Sequence, residues 1–323
     1  MSRRGKVLLK LGLTVVILGV VLWKVGVKGI VEAIERLDLG AWLLAFAAFF
    51  VLHGLGTLKW RFLLSLTGAR LGVVDGFRCY AAGLFANLCL PTMIGGDVLR
   101  AGLAMAATRQ KTAVVLGSIL DRASDFIGLV ALAVVGFVVA WHPSSAHLDG
   151  NGATNWTPFI VAGGLAAAGI AAAVVLWKTW RPKGRAHKLL LESLVAVRRV
   201  RRRWPLALLG FLISATLQFL LLLVHRELGV RIGMPRDLTI WMFIWPVSKL
   251  AAMVPISFAG LGVREAAFLA LSKPFGIVKD VAVAASLAWQ AVMIVGGLLG
   301  GLVWVLLTWR PAARLAPAGR GAP

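Results

Sequence analysis

The sequence predicts an all-α polytopic membrane protein with about six transmembrane helices and two oppositely oriented re-entrant helical hairpins. Three observations predict this fold. The 323 residues are 59% apolar with a mean hydropathy of +0.87, which is typical of multi-span helical membrane proteins. Apolar segments long enough to cross a bilayer alternate with short charged loops. Two further apolar segments are interrupted by proline, glycine and arginine, where a lipid-exposed backbone should not break.

Composition also argues against several classes of function. The net charge of +22 lies mainly in short loops between apolar segments, which is typical of topology determinants facing anionic headgroups and not of a nucleic-acid-binding surface. Cys79 and Cys89 do not share a helix face and are expected to be buried free thiols. The five histidines are scattered without metal-ligand spacing, so the sequence predicts no metal site and no cofactor.

The first half begins with two predicted crossings. Val7–Trp23 follows a basic N-terminus, and because no small-residue cleavage site comes after it, we interpret it as a retained helix and not as a signal peptide. Lys24–Gly40 is charge-balanced, as suits an outer loop. Ala41–Leu58 then returns to a basic cytoplasmic stretch that contains Lys59, Arg61 and Arg70.

The first break is Leu90–Arg100, with the sequence LPTMIGGDVLR. The preceding Gly76–Pro91 spans roughly 24 Å as a helix, short for a crossing, and Val98–Ala107 after it is shorter still. Basic residues at both ends, with Arg109 and Lys111 closing the second arm, favour a re-entrant hairpin that enters from the cytoplasm. The alternative is one kinked crossing, which would place Arg109 and Lys111 outside and invert the charge bias of every later loop.

The next crossings are Thr112–Trp141 and Phe159–Trp177, joined by a loop without lysine or arginine that is expected outside. Lys178–Arg203 carries ten Lys/Arg and one Glu, the strongest cytoplasmic signal in the chain. It forms either a basic amphipathic helix on the inner leaflet or a solvated basic loop.

The second half repeats this arrangement. Leu206–Val224 crosses, Leu238–Val254 leads into a second break at Pro255–Glu265, a short arm Ala266–Leu271 follows, and Val281–Thr308 crosses last. We therefore predict a single membrane domain over residues 1–308 built as an inverted-topology repeat, with halves at about 7–141 and 158–308. Residues 178–204 form its basic cytoplasmic loop, and residues 309–323 form a disordered cytoplasmic tail.

The two breaks also match residue by residue. Proline, glycine and arginine recur at the same spacing: Pro91, Gly96 and Arg100 in the first, Pro255, Gly260 and Arg264 in the second. The prolines are the predicted helix-break residues. Each break should present a helix N-terminus, at Val98 and at Val263, whose free N–H groups and dipole favour an anion. The predicted binding residues for an anionic headgroup are Arg100, Arg264, Gly95, Gly96, Gly260, Gly262 and Arg122.

Charged residues near the breaks admit two interpretations. Asp97 is either the N-cap of the Val98 helix or a coupling group that faces Arg100. Asp121 and Asp125 share a helix face and form, with arginine, either a structural ion-pair cluster or a substrate or proton path. The same choice applies to Lys249 and Glu265. Two amides are expected to make hydrogen bonds between helices: Asn87 and Gln218.

Three stretches carry a resemblance to a known family: NLCLPTMIGGDVLR at Asn87–Arg100, DRASD at Asp121–Asp125, and PISFAGLGVRE at Pro255–Glu265. Together they resemble the lysylphosphatidylglycerol synthase transmembrane region, also called the flippase-like or YbhN-type family, over about residues 7–308. The resemblance implies a multi-pass protein of the bacterial inner membrane that handles lipids, and both termini are expected to be cytoplasmic. Some relatives carry a fused aminoacyl-transferase, and we expect none in this chain because little sequence follows the last predicted crossing.

The favoured function is a lipid transporter or flippase that binds or moves an anionic phospholipid or a polyprenyl-phosphate-linked lipid. Its site is expected where the two broken-helix tips meet near the midplane. The alternatives are a membrane-embedded enzyme acting on a lipid headgroup, with Asp97, Asp121 and Asp125 as acid–base groups, or a small-solute or ion transporter. No catalytic constellation is recognisable, so we expect no enzyme. A second copy of the chain or a lipid-synthesis enzyme would be compatible protein partners.

Overall fold

The computed structural model of this protein describes residues 27–90, 95–108, 110–140, 185–253 and 260–309. These residues form α-helices with one short 3₁₀ helix, and no strand occurs within these ranges. The helices are α1 Val27–Ile34, α2 Leu39–Thr67, α3 Val73–Cys89, α4 Gly95–Ala107, α5 Lys111–Ala140, α6 Arg185–Arg202, α7 Trp204–Ile232, α8 Leu238–Ala252, α9 Val263–Ser272 and α10 Lys279–Trp309, with the 3₁₀ turn at Lys273–Phe275.

Four of the described helices, α2, α5, α7 and α10, are long and apolar enough to cross a membrane. They correspond to four of the six predicted crossings, and the other two, Val7–Trp23 and Phe159–Trp177, lie outside the described residues, as does the tail after residue 309. Large apolar side chains on these four helices are exposed, for example Leu43, Val134, Leu212 and Leu302. Such a surface suits contact with lipid chains.

The ends of the helices follow ordinary capping rules. Asp38 Oδ1 accepts a hydrogen bond of 2.8 Å from Ala41 N at the start of α2, and Asp237 accepts one of 2.8 Å from Thr239 N at the start of α8. The helices α2 and α7 end at Gly68 and Gly233, both in the left-handed region with φ of 106° and 119°.

Three sequence predictions need correction. The loop predicted at Lys24–Gly40 contains α1, because Val27, Ile30, Val31 and Ile34 repeat at helical spacing. The helix α2 continues past Leu58 to Thr67, because the sequence between Leu58 and Gly68 contains no glycine or proline. Cys79 is a buried free thiol as predicted, but Cys89 at the end of α3 is exposed.

The short helices pack in pairs. The helices α3 and α4 pack closely against each other: a Cβ atom added at Gly83 would lie 2.9 Å from the Gly96 carbonyl oxygen and 3.3 Å from Arg100 Cβ. The helices α8 and α9 also pack against each other. Each pair lies against the long helices: α3 packs along α10, α8 packs along α5, and α2 contacts α7. Both pairs therefore sit among the spanning helices.

Candidate functional site

Arg100, on α4, is 3% exposed and is held from several sides. Its Nη2 donates to Asp121 Oδ2 at 2.9 Å and lies 3.5 Å from Asp97 Oδ1. The guanidinium carbon lies 4.4 Å from the ring centroid of Trp60 and 4.9 Å from that of Tyr80. Arg100 is thus paired with carboxylates and stacked on aromatic rings, a setting that stabilises a buried guanidinium.

Lys59 is a member of the same cluster that sequence reasoning missed. The sequence pattern places Lys59 in the basic stretch after a crossing, but the residue lies inside α2 and is 5% exposed. Its Nζ lies 2.8 Å from Asp121 Oδ1, donates to Asp125 Oδ1 at 2.5 Å and donates to Ser214 Oγ at 2.9 Å. The contact with Asp121 is an ion pair whose angles do not suit a hydrogen bond. The absence of glycine and proline between Leu58 and Gly68 is the signal that could have placed Lys59 inside the helix.

Arg122 completes the group that we call the first charged cluster: Lys59, Asp97, Arg100, Asp121, Arg122 and Asp125. Arg122 Nη2 donates to Asp97 Oδ1, and its Nη1 lies 4.0 Å from Asp125 Oδ2. Its side chain is 42% exposed, the most accessible cation of the cluster. The cluster contains three basic and three acidic side chains, so its charges balance.

The start of α4 differs from the prediction. The helix begins at Gly95 and not at Val98, so Asp97 lies in its first turn and pairs with Arg122 on α5. Asn87 Oδ1 accepts a hydrogen bond of 3.0 Å from Gly96 N, the predicted kind of bond between helices. A Cβ atom on Gly96 would lie 2.2 Å from the Gly83 carbonyl oxygen, and one on Gly95 would lie 2.7 Å from Leu90 Cβ. Both glycines therefore permit close packing.

Arg264, on α9, is 7% exposed and has a different set of partners. Its Nη2 donates to Glu265 Oε1 at 2.8 Å and to Gln290 Oε1 at 2.5 Å, and its Nη1 lies 3.2 Å from Met293 Sδ. Glu265 is fully buried, and its Oε2 accepts a hydrogen bond of 2.7 Å from Gly262 N. The first turn of α9, which begins at Val263 as predicted, is therefore closed by its own carboxylate.

Gly260 and Gly262 have a conformational reason to be glycine. Their φ angles are 76° and 81°, in the left-handed region that other residues rarely adopt. The helix-break residues Pro91 and Pro255 lie outside the described residues, as do the two tips around them. The meeting of the tips near the midplane thus stays a prediction.

Lys249, on α8, is bound by an amide and an aromatic ring. Its Nζ donates to Gln218 Oε1 at 2.9 Å, the predicted bond between helices, and lies 4.6 Å from the ring centroid of Trp245. It is close enough to Asp125, Arg122 and Arg264 to interact electrostatically with all three. We call Lys249, Arg264 and Glu265 the second charged cluster.

Among the described residues, no three histidine, cysteine or acidic side chains lie close enough together to hold a metal ion. The three acidic residues of the first charged cluster are each bound by a cation. What the arrangement offers chemically is a set of buried cationic donors: the Nε atoms of Arg100, Arg122 and Arg264 have no partner within the described parts of the chain. Such donors suit an anion more than a cation.

Comparison with known proteins matches this chain to a family. The family model described as Lysylphosphatidylglycerol synthase TM region matches residues 7–301. No curated protein and no solved structure matches the chain.

Proposed function

Because this chain belongs to the lysylphosphatidylglycerol synthase transmembrane-region family, as its motifs predicted, we propose that it moves an anionic lipid between the leaflets of the bacterial inner membrane. The observation that carries the proposal is the position of the two charged clusters. The second cluster lies on the short helices α8 and α9, and the first joins Asp97 and Arg100 of the short helix α4 to residues of the long helices α2 and α5. Both clusters lie in an interior formed with four long helices that expose apolar side chains. A headgroup passing through such an interior meets charge while its tails stay in lipid.

The packing of the helices supports an inverted repeat of α2–α5 and α7–α10. In each half the two short helices pack together, and the arginine of the second short helix bonds to the long helix that follows: Arg100 to Asp121, and Arg264 to Gln290. The two halves also pack against each other, because α3 of the first half packs along α10 of the second and α8 of the second packs along α5 of the first. Inverted repeats of transporters place their substrate site at this kind of interface.

The lengths of the short helices support re-entrant hairpins. The longest of them, α3, has 17 residues, and the shortest, α9, has 10. At about 1.5 Å per residue neither reaches the roughly 30 Å of a hydrocarbon core. In our proposal the first hairpin enters from the cytoplasm and the second from the opposite face, with both termini cytoplasmic.

The proposed substrate carries a phosphate, either in an anionic phospholipid or in a polyprenyl-phosphate lipid. Guanidinium groups bind phosphate through two parallel hydrogen bonds, and the free Nε donors of Arg100, Arg122 and Arg264 remain for that purpose. We favour transport over catalysis because each carboxylate of the first charged cluster is occupied by a cation, which leaves no free general base among them.

The test is headgroup translocation in liposomes, measured with a fluorescent phospholipid whose outer-leaflet label is destroyed by a membrane-impermeant reductant. We expect Arg100→Ala and Arg264→Ala to abolish the accelerated loss of inner-leaflet label. Arg70→Ala removes an exposed arginine outside the clusters and should leave the rate unchanged. Size-exclusion chromatography and thermal unfolding check that each variant is folded. Wild-type rates in both cluster variants would contradict the proposal.

A further inference from the structure

The two charged clusters do not balance in charge. The first contributes three basic and three acidic side chains, and the second contributes two basic side chains and one acidic side chain. One positive charge therefore remains in the interior. A buried charge without a counterion is costly, so its presence points to a partner that binds there.

Lys249 is the cation that carries this surplus. Arg100, Arg122 and Lys59 each have a carboxylate within ion-pair distance, and Arg264 has Glu265. Lys249 has the neutral amide of Gln218 and the ring of Trp245, and no carboxylate of the described residues lies within 4.0 Å of its ammonium group.

The sequence limits where a missing counterion could come from. Of the 13 acidic residues, the described side chains include all but Asp149 and Glu192. The two breaks, at residues 91–94 and 254–259, contain no acidic residue. Asp149 follows α5 in the sequence, outside the described residues, and Glu192 belongs to α6. The chain therefore supplies no carboxylate to Lys249 from the segments next to it in sequence.

The ammonium group of Lys249 has hydrogen-bond donors to offer an anion. An ammonium group has three N–H donors, and among the described residues Gln218 accepts from one of them. Lys249 is half-buried, whereas Arg100 and Arg264 are 3% and 7% exposed. Lys249 also lies in electrostatic range of Arg122 in the first charged cluster and of Arg264 in the second. An anion bound to its ammonium would thus be attracted by both arginines.

We propose that Lys249 binds the phosphate group of the substrate and that the site selects a headgroup with one net negative charge. This inference rests on the proposed function and makes it more specific: to the free Nε donors of the three arginines it adds a direct contact from Lys249, which has no carboxylate partner among the described residues. The same chemistry could also attract free inorganic phosphate, so the experiment includes it.

The test is binding and not transport. Purified protein is exposed to an equal mixture of phosphatidylglycerol, which is anionic, and phosphatidylcholine, which carries the same phosphate with no net charge. The lipids that remain bound are then quantified by mass spectrometry, with and without excess inorganic phosphate. We expect the wild type to retain phosphatidylglycerol selectively. Lys249→Met should weaken this selectivity about tenfold or more, the size of one charge-assisted hydrogen bond.

Two further variants make the result specific. Lys249→Arg keeps the charge and should keep the selectivity, whereas Lys273→Met removes an exposed lysine of the 3₁₀ turn and should change nothing. Unchanged selectivity in folded Lys249→Met would overturn the inference. So would equal retention of both lipids by the wild type, a result that does not depend on any variant folding. Displacement of the lipid by inorganic phosphate would assign the site to a free anion and also overturn it.

The outcomes separate this inference from the proposed function. Transport that depends on Arg100 and Arg264, together with lipid binding that ignores Lys249, would reject the lysine site alone. Selective binding through Lys249 without any translocation would reject transport and retain the binding site.

Discussion

The first and second charged clusters follow similar sequence motifs, yet they neutralise their charges in different ways. In the first, every basic side chain has two carboxylates within ion-pair distance. In the second, Arg264 has one carboxylate, and an amide, Gln290, takes the place of another. Lys249 has an amide partner, Gln218, and no carboxylate among the described residues.

The difference matters because amides and carboxylates satisfy a buried cation differently. A carboxylate supplies both a hydrogen-bond acceptor and a counter-charge, so a cation paired with it attracts other anions weakly. An amide oxygen supplies the acceptor alone and leaves the positive charge available. The first charged cluster is therefore suited to joining α2, α4 and α5, while the second is suited to a ligand.

The largest effect is expected for Asp121→Asn, which would test the structural role of the first charged cluster. Asp121 is 2% exposed and binds both Arg100 and Lys59. Removal of its charge leaves two buried cations undercompensated, which should lower the free energy of unfolding by about 3–5 kcal/mol. Denaturant-induced unfolding in detergent measures this change. Asp75→Asn is the matched control, because Asp75 pairs with Arg78 at an accessible site and should cost at most about 1 kcal/mol. Equal effects at the two sites would contradict the comparison.

A smaller effect is expected for Gln290→Leu in the second charged cluster. The substitution removes the 2.5 Å bond to Arg264 but leaves Glu265 in place, so the guanidinium keeps its counter-charge. The loss of one hydrogen bond to a charged group should lower the free energy of unfolding by about 1.5–3 kcal/mol. Gln110→Leu, at an exposed position before α5, serves as the control in the same unfolding measurement. A loss as large as that of Asp121→Asn would mean that the second cluster is equally structural.

The sequence predicts the helices better than it predicts the ion pairs. Apolar length predicted α2, α5, α7 and α10, and the proline–glycine breaks predicted the short helices, because both signals are local. The sequence grouped Asp97, Asp121 and Asp125 with arginine, but it did not place Lys59 among them. Lys59 and Asp125 are 66 positions apart in the sequence, and the packing of α2 on α5 brings them into contact.

The two breaks also need glycine for different reasons: close packing of two helices at Gly96, and a left-handed backbone at Gly262. Gly96→Ala tests the close packing. A Cβ atom at Gly96 would meet the Gly83 carbonyl oxygen at 2.2 Å and Asn87 Oδ1 at 2.4 Å. The backbones of α3 and α4 must then separate, at an expected cost of about 1–3 kcal/mol in the free energy of unfolding. Gly102→Ala lies on the same helix with nothing within 4 Å, and it should stabilise the protein by up to about 1 kcal/mol through helix propensity. The same sign for both variants would refute the close contact.

Gly262→Ala tests the need for a left-handed backbone in the second break and is expected to change the free energy of unfolding least. Gly262 adopts a φ of 81°, so alanine there is strained by the backbone itself, at a cost of about 1–2 kcal/mol. Gly40→Ala, in the first turn of α2, meets ordinary contacts of 3.6 Å or more and is the control. Because Gly262 N donates to Glu265 Oε2, strain at this position also disturbs the carboxylate that holds Arg264. Gly262→Ala should therefore alter lipid selectivity as well as stability, whereas Gly96→Ala should alter stability alone. Loss of selectivity in Gly96→Ala, measured on protein that remains folded, would show that the first break also shapes the ligand site.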